Sequence, residues 1–143
     1  MAPGPDRALE AFFNAYAAAS LAGDAGTIGR SYFSSYIEAA PSTVEAFTVD
    51  AAYEAAIWAK AEAMRGLGLA ESTVTLIKTA PIAPRHVLAE AEWRLRFAPQ
   101  GKTPAETHFR ISYVVRMEDG GPKILLAISH EDEEQAMKDL GLS

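Results

Sequence analysis

The strongest constraint on the fold is a strict two-residue alternation in the second half of the chain. Apolar residues alternate with charged or polar ones from Val87 to Phe97 and again from Phe109 to Met117. Successive side chains of a strand point to opposite faces, so this pattern is typical of paired strands with one buried and one polar face. A turn at Glu118 to Gly121 predicts a hairpin into a last strand, Lys123 to Ser129. Thr73 to Thr79, rich in β-branched residues, completes a predicted antiparallel meander of four strands.

The first half of the chain has the period of helices instead. Pro5 and Asp6 suit a helix start, and Gly23 suits its end. Between them, a buried stripe at three- and four-residue spacing comprises Leu9, Phe12, Phe13, Tyr16 and Ala19. Asp24 is predicted to cap a second, short helix that runs through Ile28, Tyr32 and Phe33.

Two short strands and a long helix follow. Tyr36 to Ala40 is predicted to be extended and to stop at Pro41, and Thr43 to Thr48 is predicted as a second strand. Asp50 opens an alanine-rich helix from Ala51 to Arg65. An acidic tail from Glu131 to Leu140 is interpreted as a surface helix, because carboxylates suit a helix start.

This order predicts an α+β fold, with three helices covering the apolar face of a curved antiparallel sheet. A chain of 143 residues is long enough for one domain, and we expect a single domain over residues 1–143. A curved sheet closed on one side by helices encloses a cone with a wide mouth. Such a cone is a natural ligand cavity.

Composition narrows the function classes. A net charge of −6 argues against a nucleic-acid partner, and no apolar run approaches the roughly 20 residues of a membrane span. The absence of cysteine excludes disulfides and thiolate catalysis. Met1 to Asp6 does not have the basic, then apolar, pattern of a secretory signal. We therefore expect a cytoplasmic protein that binds neither nucleic acid nor membrane.

One local signature carries a resemblance to a known superfamily. Phe12-Phe13-Asn14-Ala15-Tyr16 followed by Ala22-Gly23-Asp24, with the order of elements from Leu9 to Ser129, resembles the nuclear transport factor 2-like superfamily. Its members have cystatin-like α+β cone folds. They include ketosteroid isomerases, polyketide cyclases of the SnoaL type, dehydratases, epoxide hydrolases and non-catalytic binding modules. The resemblance therefore implies a fold and leaves the reaction open.

The resemblance to the isomerases implies roles for individual residues. Tyr16, seven residues before Gly23, matches the tyrosine that donates to the oxyanion in those enzymes. Their protonated acid on the penultimate strand falls on Tyr113. Their general base is an Asp directly before a Pro, and this chain has Ala40 before Pro41. An oxyanion site without a base binds and polarises a carbonyl but takes no proton, so we expect no appreciable ketosteroid isomerisation.

Glu38 is the nearest carboxylate that can replace the missing base. It lies two residues before Ala40 and hence on the same strand face. The objection is that the apolar pair Ile37 and Ala39 then faces away from the core. The non-catalytic alternative is that Glu38 is a solvated charge at a strand edge. The candidates for catalysis are therefore Tyr16, Glu38 and Tyr113.

Aromatic residues are the candidates for a cavity that binds a small apolar ligand. They are Phe13, Tyr16, Trp58, Trp93 and Tyr113. Each can also be ordinary packing, because large aromatics are common in cores, and Trp58 lies off the main stripe of its helix. No metal site is predicted, since His86, His108 and His130 are not at metal-ligand spacing. The sequence predicts no cofactor.

Three function classes remain at this stage. The first is a small-molecule-binding protein with an aromatic cavity. The alternative is an isomerase, cyclase or dehydratase acting on a small apolar carbonyl or polyketide-like substrate. The third is an interaction module whose open sheet face serves a partner. The direction in which Glu38 points discriminates the first two.

The outward faces of two neighbouring strands predict a homodimer through the open face of the sheet. They carry both charge signs, which suits a two-fold axis, and members of the resembled superfamily associate through this face. The alternative is charge pairing within one solvated sheet. The residues concerned are Glu90, Glu92, Arg94, Arg96, His108, Arg110, Ser112, Val114 and Arg116.

Overall fold

A computed structural model describes residues 5–132 together with residues 135 and 138. Three helices and six strands follow the chain in the order α1 Pro5–Ala22, α2 Ala25–Arg30, β1 Tyr32–Ala40, β2 Thr43–Thr48, α3 Ala51–Gly66, β3 Leu69–Ala83, β4 His86–Phe97, β5 Ala105–Glu118 and β6 Gly121–Ser129. Most of the helix predicted over residues 131–140 lies outside the described residues. Within the described part of the chain, no helix is long and apolar enough to cross a membrane.

The six strands form one sheet in the order β2-β1-β6-β5-β4-β3. Strands β3 to β6 are the predicted antiparallel meander, and the α+β class is confirmed. Sequence patterning did not predict the parallel pairing of β1 with β6. This pairing places the first strand of the chain beside the last, so that Tyr32 and Tyr36 are buried in the core and Glu38 is hydrogen-bonded to Tyr36.

The end of the second helix differs from the prediction. Asp24 caps it as expected, with Oδ1 accepting from the Thr27 backbone N–H at 3.1 Å. The helix ends at Arg30, however, and Tyr32 and Phe33 begin β1. Two glycines in six residues weaken the helix by about 1 kcal/mol each. Pairing with β6, in contrast, gives Tyr32 a buried strand position, which suits an aromatic side chain.

Strand β3 is longer than the predicted Thr73 to Thr79 and runs past Pro81. It lies at the edge of the sheet, where a residue without a backbone N–H leaves no ladder bond unmade. The added length pairs β3 with the whole of β4. The helices therefore pack on a continuous sheet surface.

The core lies between the helices and the inner face of the sheet. Leu9 and Phe13 of α1 are fully buried against Ala89, Tyr113 and Val115 of β4 and β5. The strict alternation of β4 is realised, with its odd-numbered residues buried and its even-numbered residues facing outward. One face of the sheet is thus buried against the helices, and the other faces solvent.

The outer face carries an apolar row that crosses all six strands. We call it the outer apolar row, and the strand registers align Ala46, Ile37, Leu126, Val114, Leu88 and Ala80. Next to it, Arg94 pairs with Glu71 at 2.9 Å and with Glu106 at 3.0 Å. Arg110 lies 3.5 Å from Glu90 and 3.7 Å from Glu92. The outward-facing charged residues Arg94 and Arg110 therefore form ion pairs within the sheet.

Candidate functional site

A cavity of about 160 Å³ lies between α1, α3 and the inner face of the sheet. We call it the chamber. Its walls combine aromatic rings, aliphatic side chains and hydroxyls: Tyr16, Ser20, Ile28, Tyr32, Glu38, Tyr53, Ile57, Lys60, Ala61, Met64, Leu69, Ser72, Trp93, Leu95, Phe109, Ile111, Tyr113 and Ala127. An apolar space with a few convergent polar groups is the usual form of a small-molecule site.

Tyr16 brings the first hydroxyl to the chamber. It projects from α1, and its Oη lies 2.6 Å from the Oη of Tyr32 at the start of β1. The two rings meet edge to face at a centroid separation of 5.8 Å, and Tyr16 makes a second edge contact with Trp93 at 5.6 Å. Aromatic contacts of this geometry stabilise a defined ring orientation. Tyr16 is therefore held at the wall of the chamber by two neighbours.

Tyr113 and Trp93, on the neighbouring strands β5 and β4, form the wall beside Tyr16. Trp93 Nε1 donates a hydrogen bond of 2.9 Å to Tyr113 Oη, and both residues are buried. Phe13 packs beneath Tyr113 with ring centroids 4.8 Å apart and 1% of its surface exposed. Three of the predicted ligand-binding residues thus line the chamber, and Phe13 lies behind its wall in the core.

A chain of three polar groups occupies the β1 side. Tyr36 Oη donates to Glu38 Oε2 at 2.7 Å, and Tyr53 Oη lies 2.6 Å from Tyr36 Oη. A hydroxyl has one proton, so Tyr53 donates to Tyr36 while Tyr36 donates to Glu38. Tyr53 takes this place because Asp50 caps α3, accepting from the Tyr53 backbone N–H at 2.9 Å. The Glu38 carboxylate is oriented by this chain.

Glu38 faces the chamber. This is the orientation that a catalytic role for Glu38 requires. Glu38 is the only carboxylate among the described residues that line the chamber. Its neighbour Ile37 faces the opposite side and is 43% exposed, as part of the outer apolar row. Ile37 therefore joins an apolar surface on the outside, which answers the objection that the apolar residues of β1 would face away from the core.

Burial raises the pKa of these hydroxyls, so they stay neutral in alkali as well as at neutral pH. It raises the pKa of Tyr32 well above the ordinary value, and the neighbouring Tyr16, Tyr113 and Glu38 raise it further. Burial also raises the pKa of Tyr36, with contributions from its hydrogen bond to Tyr53 and from Glu38. The pKa of Tyr53 is raised mainly by burial. At neutral pH the chamber therefore presents hydroxyl donors.

A second cavity of about 280 Å³ lies beyond Glu38, at the β1–β2 end of the sheet. We call it the outer groove, and it is lined by Glu38, Ala39, Ala40, Ser42, Thr43, Glu45, Phe47, Ile111, Ala127, Ser129, Glu131 and Asp132. Three of these residues, Glu38, Ile111 and Ala127, also line the chamber. The two cavities therefore meet at Glu38.

One predicted site residue lies elsewhere. Trp58 is 57% exposed on α3 and is not among the residues lining the chamber. Its position off the buried stripe of the helix was the relevant signal. The described residues include no group of three or more His, Asp or Glu side chains placed to hold a metal ion.

Sequence reasoning missed two tyrosines and one lysine that line the chamber, Tyr32, Tyr53 and Lys60, and also Tyr36, which is hydrogen-bonded to Glu38. Tyr36 shares a strand face with Glu38, which is a signal visible in the sequence. Tyr53 follows the cap residue Asp50 by three positions, at the first turn of α3. Tyr32 was assigned to a helix, and Lys60 gave no signal within an alanine-rich segment.

The tyrosine environments predict a loss of stability in alkali. Above about pH 10, tyrosines of the unfolded chain ionise, whereas Tyr32, Tyr36 and Tyr53 stay protonated in the native state. The native state then binds more protons, so the free energy of unfolding falls as pH rises. Urea denaturation between about pH 8 and about pH 11 measures this fall, and the double variant Tyr36→Phe, Tyr53→Phe has a shallower one. Ionisation of all five tyrosines near pH 10 in the native protein contradicts the prediction.

Solved structures share this architecture at low sequence identity. An NTF2-like protein of unknown function from Shewanella oneidensis is 13% identical, with a TM-score of 0.68 over 90% of this chain and 100% of that one. A ketosteroid isomerase-like protein from Erwinia carotovora atroseptica is 9% identical, with a TM-score of 0.63 over 87% and 93%. An NTF2-like protein with a cystatin-like fold from Novosphingobium aromaticivorans is 15% identical, with a TM-score of 0.61 over 96% and 88%.

These similarities concern the fold. No protein-family model and no curated protein matches the sequence. At such identities a common fold is compatible with unrelated chemistries. The residues of the chamber, and not the fold, therefore indicate the ligand and the reaction. The chain has the α+β cone fold that is called nuclear transport factor 2-like or cystatin-like, as the order of its sequence elements predicted.

Proposed function

We propose that the protein binds a small molecule consisting of one apolar ring and a polar oxygen. The observation that carries this proposal is the chamber, where aromatic walls and tyrosine hydroxyls face one partly open cavity. Tyr16, Tyr32 and Tyr113 bring hydroxyls to it, and because Tyr16 and Tyr32 are hydrogen-bonded to each other, only one of those two can donate to a ligand. A carbonyl or phenolic oxygen is the ligand group that neutral hydroxyls bind well.

The volume sets the size of the ligand. A dry cavity of about 150 Å³ takes a benzene-sized molecule, and pockets for drug-sized ligands begin at about 300 Å³. The chamber, at about 160 Å³, fits a single six-membered ring. A four-ring steroid exceeds it. This size supports a one-ring ligand over the ketosteroid that the superfamily resemblance suggests.

Filling the chamber is expected to abolish binding. Ser72 of β3 lines it, and Ser72→Leu places a larger apolar side chain where the ring would lie. We expect p-cresol to bind the native protein and to bind this variant at least about tenfold more weakly, as measured by NMR titration. Thr73→Leu is the matched control, because Thr73 pairs with Arg94 and is exposed. Equal binding by both variants, or no binding by the native protein, contradicts the proposal.

A second candidate function is proton transfer by Glu38. Its carboxylate lines the chamber from β1, and the chain has Ala40 at the position where the isomerases have their base. In a one-ring β,γ-unsaturated ketone, Glu38 would take a proton from the carbon between the carbonyl and the double bond. The dienolate oxygen would accept hydrogen bonds from the tyrosine hydroxyls, and the proton would return to the γ carbon.

Isomerisation of cyclohex-3-enone to cyclohex-2-enone tests this candidate. A positioned base contributes about 10²–10⁴-fold, so Glu38→Gln is expected to lower the rate by that factor. Glu54→Gln, an exposed carboxylate on α3 outside both cavities, is expected to leave it unchanged. The measurement is the rise of enone absorbance. A native protein without activity removes the enzyme candidate and leaves the binding function standing.

We also propose a homodimer through the outer face of the sheet. The outer apolar row supports it more strongly than the charges, since Arg94 and Arg110 already have partners within the sheet. Ile37 and Leu88 of this row are 43% and 38% exposed. A contiguous exposed apolar band is typical of an interaction surface. A stable dimer should bury at least about 1,000 Å² in total.

Sedimentation at micromolar concentration measures the dimer. We expect about twice the chain mass of 15.3 kDa, and a monomer for the double variant Ile37→Lys, Leu88→Lys. Trp58→Lys is the control, because Trp58 is an exposed apolar residue on the helical side of the molecule. A native mass near 15.3 kDa, or a dimer unaffected by the double variant, contradicts this proposal.

A further inference from the structure

We propose that the outer groove is a charge filter for the chamber, and that it selects one-ring ligands with a cationic substituent over those with a carboxylate. The proposal rests on the small-molecule binding proposed above and adds the charge class of the ligand. It starts from the junction of the two cavities. Glu38, Ile111 and Ala127 line both, so a substituent that leaves the chamber past Glu38 enters the groove.

The groove has one sign of charge. Four carboxylates line it, Glu38, Glu45, Glu131 and Asp132, and its described lining contains no Lys, Arg or His. A cleft lined by one sign of charge concentrates oppositely charged molecules and repels like-charged ones. The ligand's substituent therefore meets a negative potential in the groove.

The strand register places two of these charges face to face. Glu38 and Glu45 are direct cross-strand partners in β1 and β2. Like charges directly opposite each other are destabilising in a sheet, and a bound cation relieves that repulsion. A third carboxylate is fixed across the groove, because the Ser42 hydroxyl donates to Asp132 Oδ1 at 2.9 Å.

An aromatic ring forms part of the groove wall beside these carboxylates. Phe47 lines the groove, and one face of its ring is stacked on Tyr36 with centroids 5.3 Å apart. Phe47 therefore gives the groove an apolar side next to its charges. Lys60 is a basic residue and opposes a preference for cations. It lines the chamber from α3 and is not among the residues lining the groove. A substituent in the groove therefore interacts chiefly with carboxylates, whereas an anion held inside the chamber would interact with Lys60.

Three probes with the same phenol ring test the filter. Tyramine carries an ammonium group, p-cresol is neutral and 4-hydroxyphenylacetate carries a carboxylate. We expect affinities in that order at low ionic strength, with tyramine at least about tenfold tighter than 4-hydroxyphenylacetate, since each exposed charge pair contributes about 1.5- to 5-fold. About 0.5 M salt should reduce the difference, because it screens exposed charges.

Variants locate the effect in the groove. Glu45→Gln with Glu131→Gln is expected to weaken tyramine binding, to strengthen 4-hydroxyphenylacetate binding and to leave p-cresol unchanged. Glu10→Gln with Glu54→Gln removes two exposed carboxylates outside both cavities and is the matched control. Equal affinities for the three probes overturn the filter while p-cresol binding keeps the proposed function. Tighter binding of the anion, abolished by Lys60→Met, also overturns it. Failure of all three probes overturns both proposals.

Discussion

The orientation of β1 is the constraint on which the whole site depends. Parallel pairing with β6 and antiparallel pairing with β2 fix the side to which each of its residues points. A shift of one residue would turn Tyr36 and Glu38 to the outside and Ile37 to the inside. The chamber would then have no carboxylate, and the outer apolar row would be broken at its second strand. One register thus defines both the inner site and the outer surface.

Much of this architecture follows from the sequence, for reasons that can be named. The alternation of β4 predicts which residues are buried because both neighbours of this strand are in the sheet. The caps Asp24 and Asp50 fix helix starts through local hydrogen bonds. Local patterns fail for β1, because its fate is decided by a partner strand about ninety residues later in the chain. Tyr32 was misassigned for that reason.

Periodicity within single elements also decides which residues of the site could be predicted. Tyr16, Trp93 and Tyr113 lie on elements with strong periodicity, and they line the chamber. Trp58 lies on a strongly periodic helix too, but off its buried stripe, and it is exposed. Glu38, Tyr36 and Tyr53 form a chain that joins two elements distant in sequence. Such convergence is tertiary, and no spacing within one element indicates it.

The chamber and the outer groove divide recognition between two kinds of interaction. Inside, the tyrosine hydroxyls are neutral, so hydrogen bonding and shape select the ring and its oxygen. Outside, half-exposed carboxylates act over a longer range and are sensitive to salt. Glu38 belongs to both, since Tyr36 holds it at their junction. A substitution that neutralises Glu38 therefore changes the polarity of the inner site and the field of the outer one together. Glu45, on the groove side alone, separates the two effects.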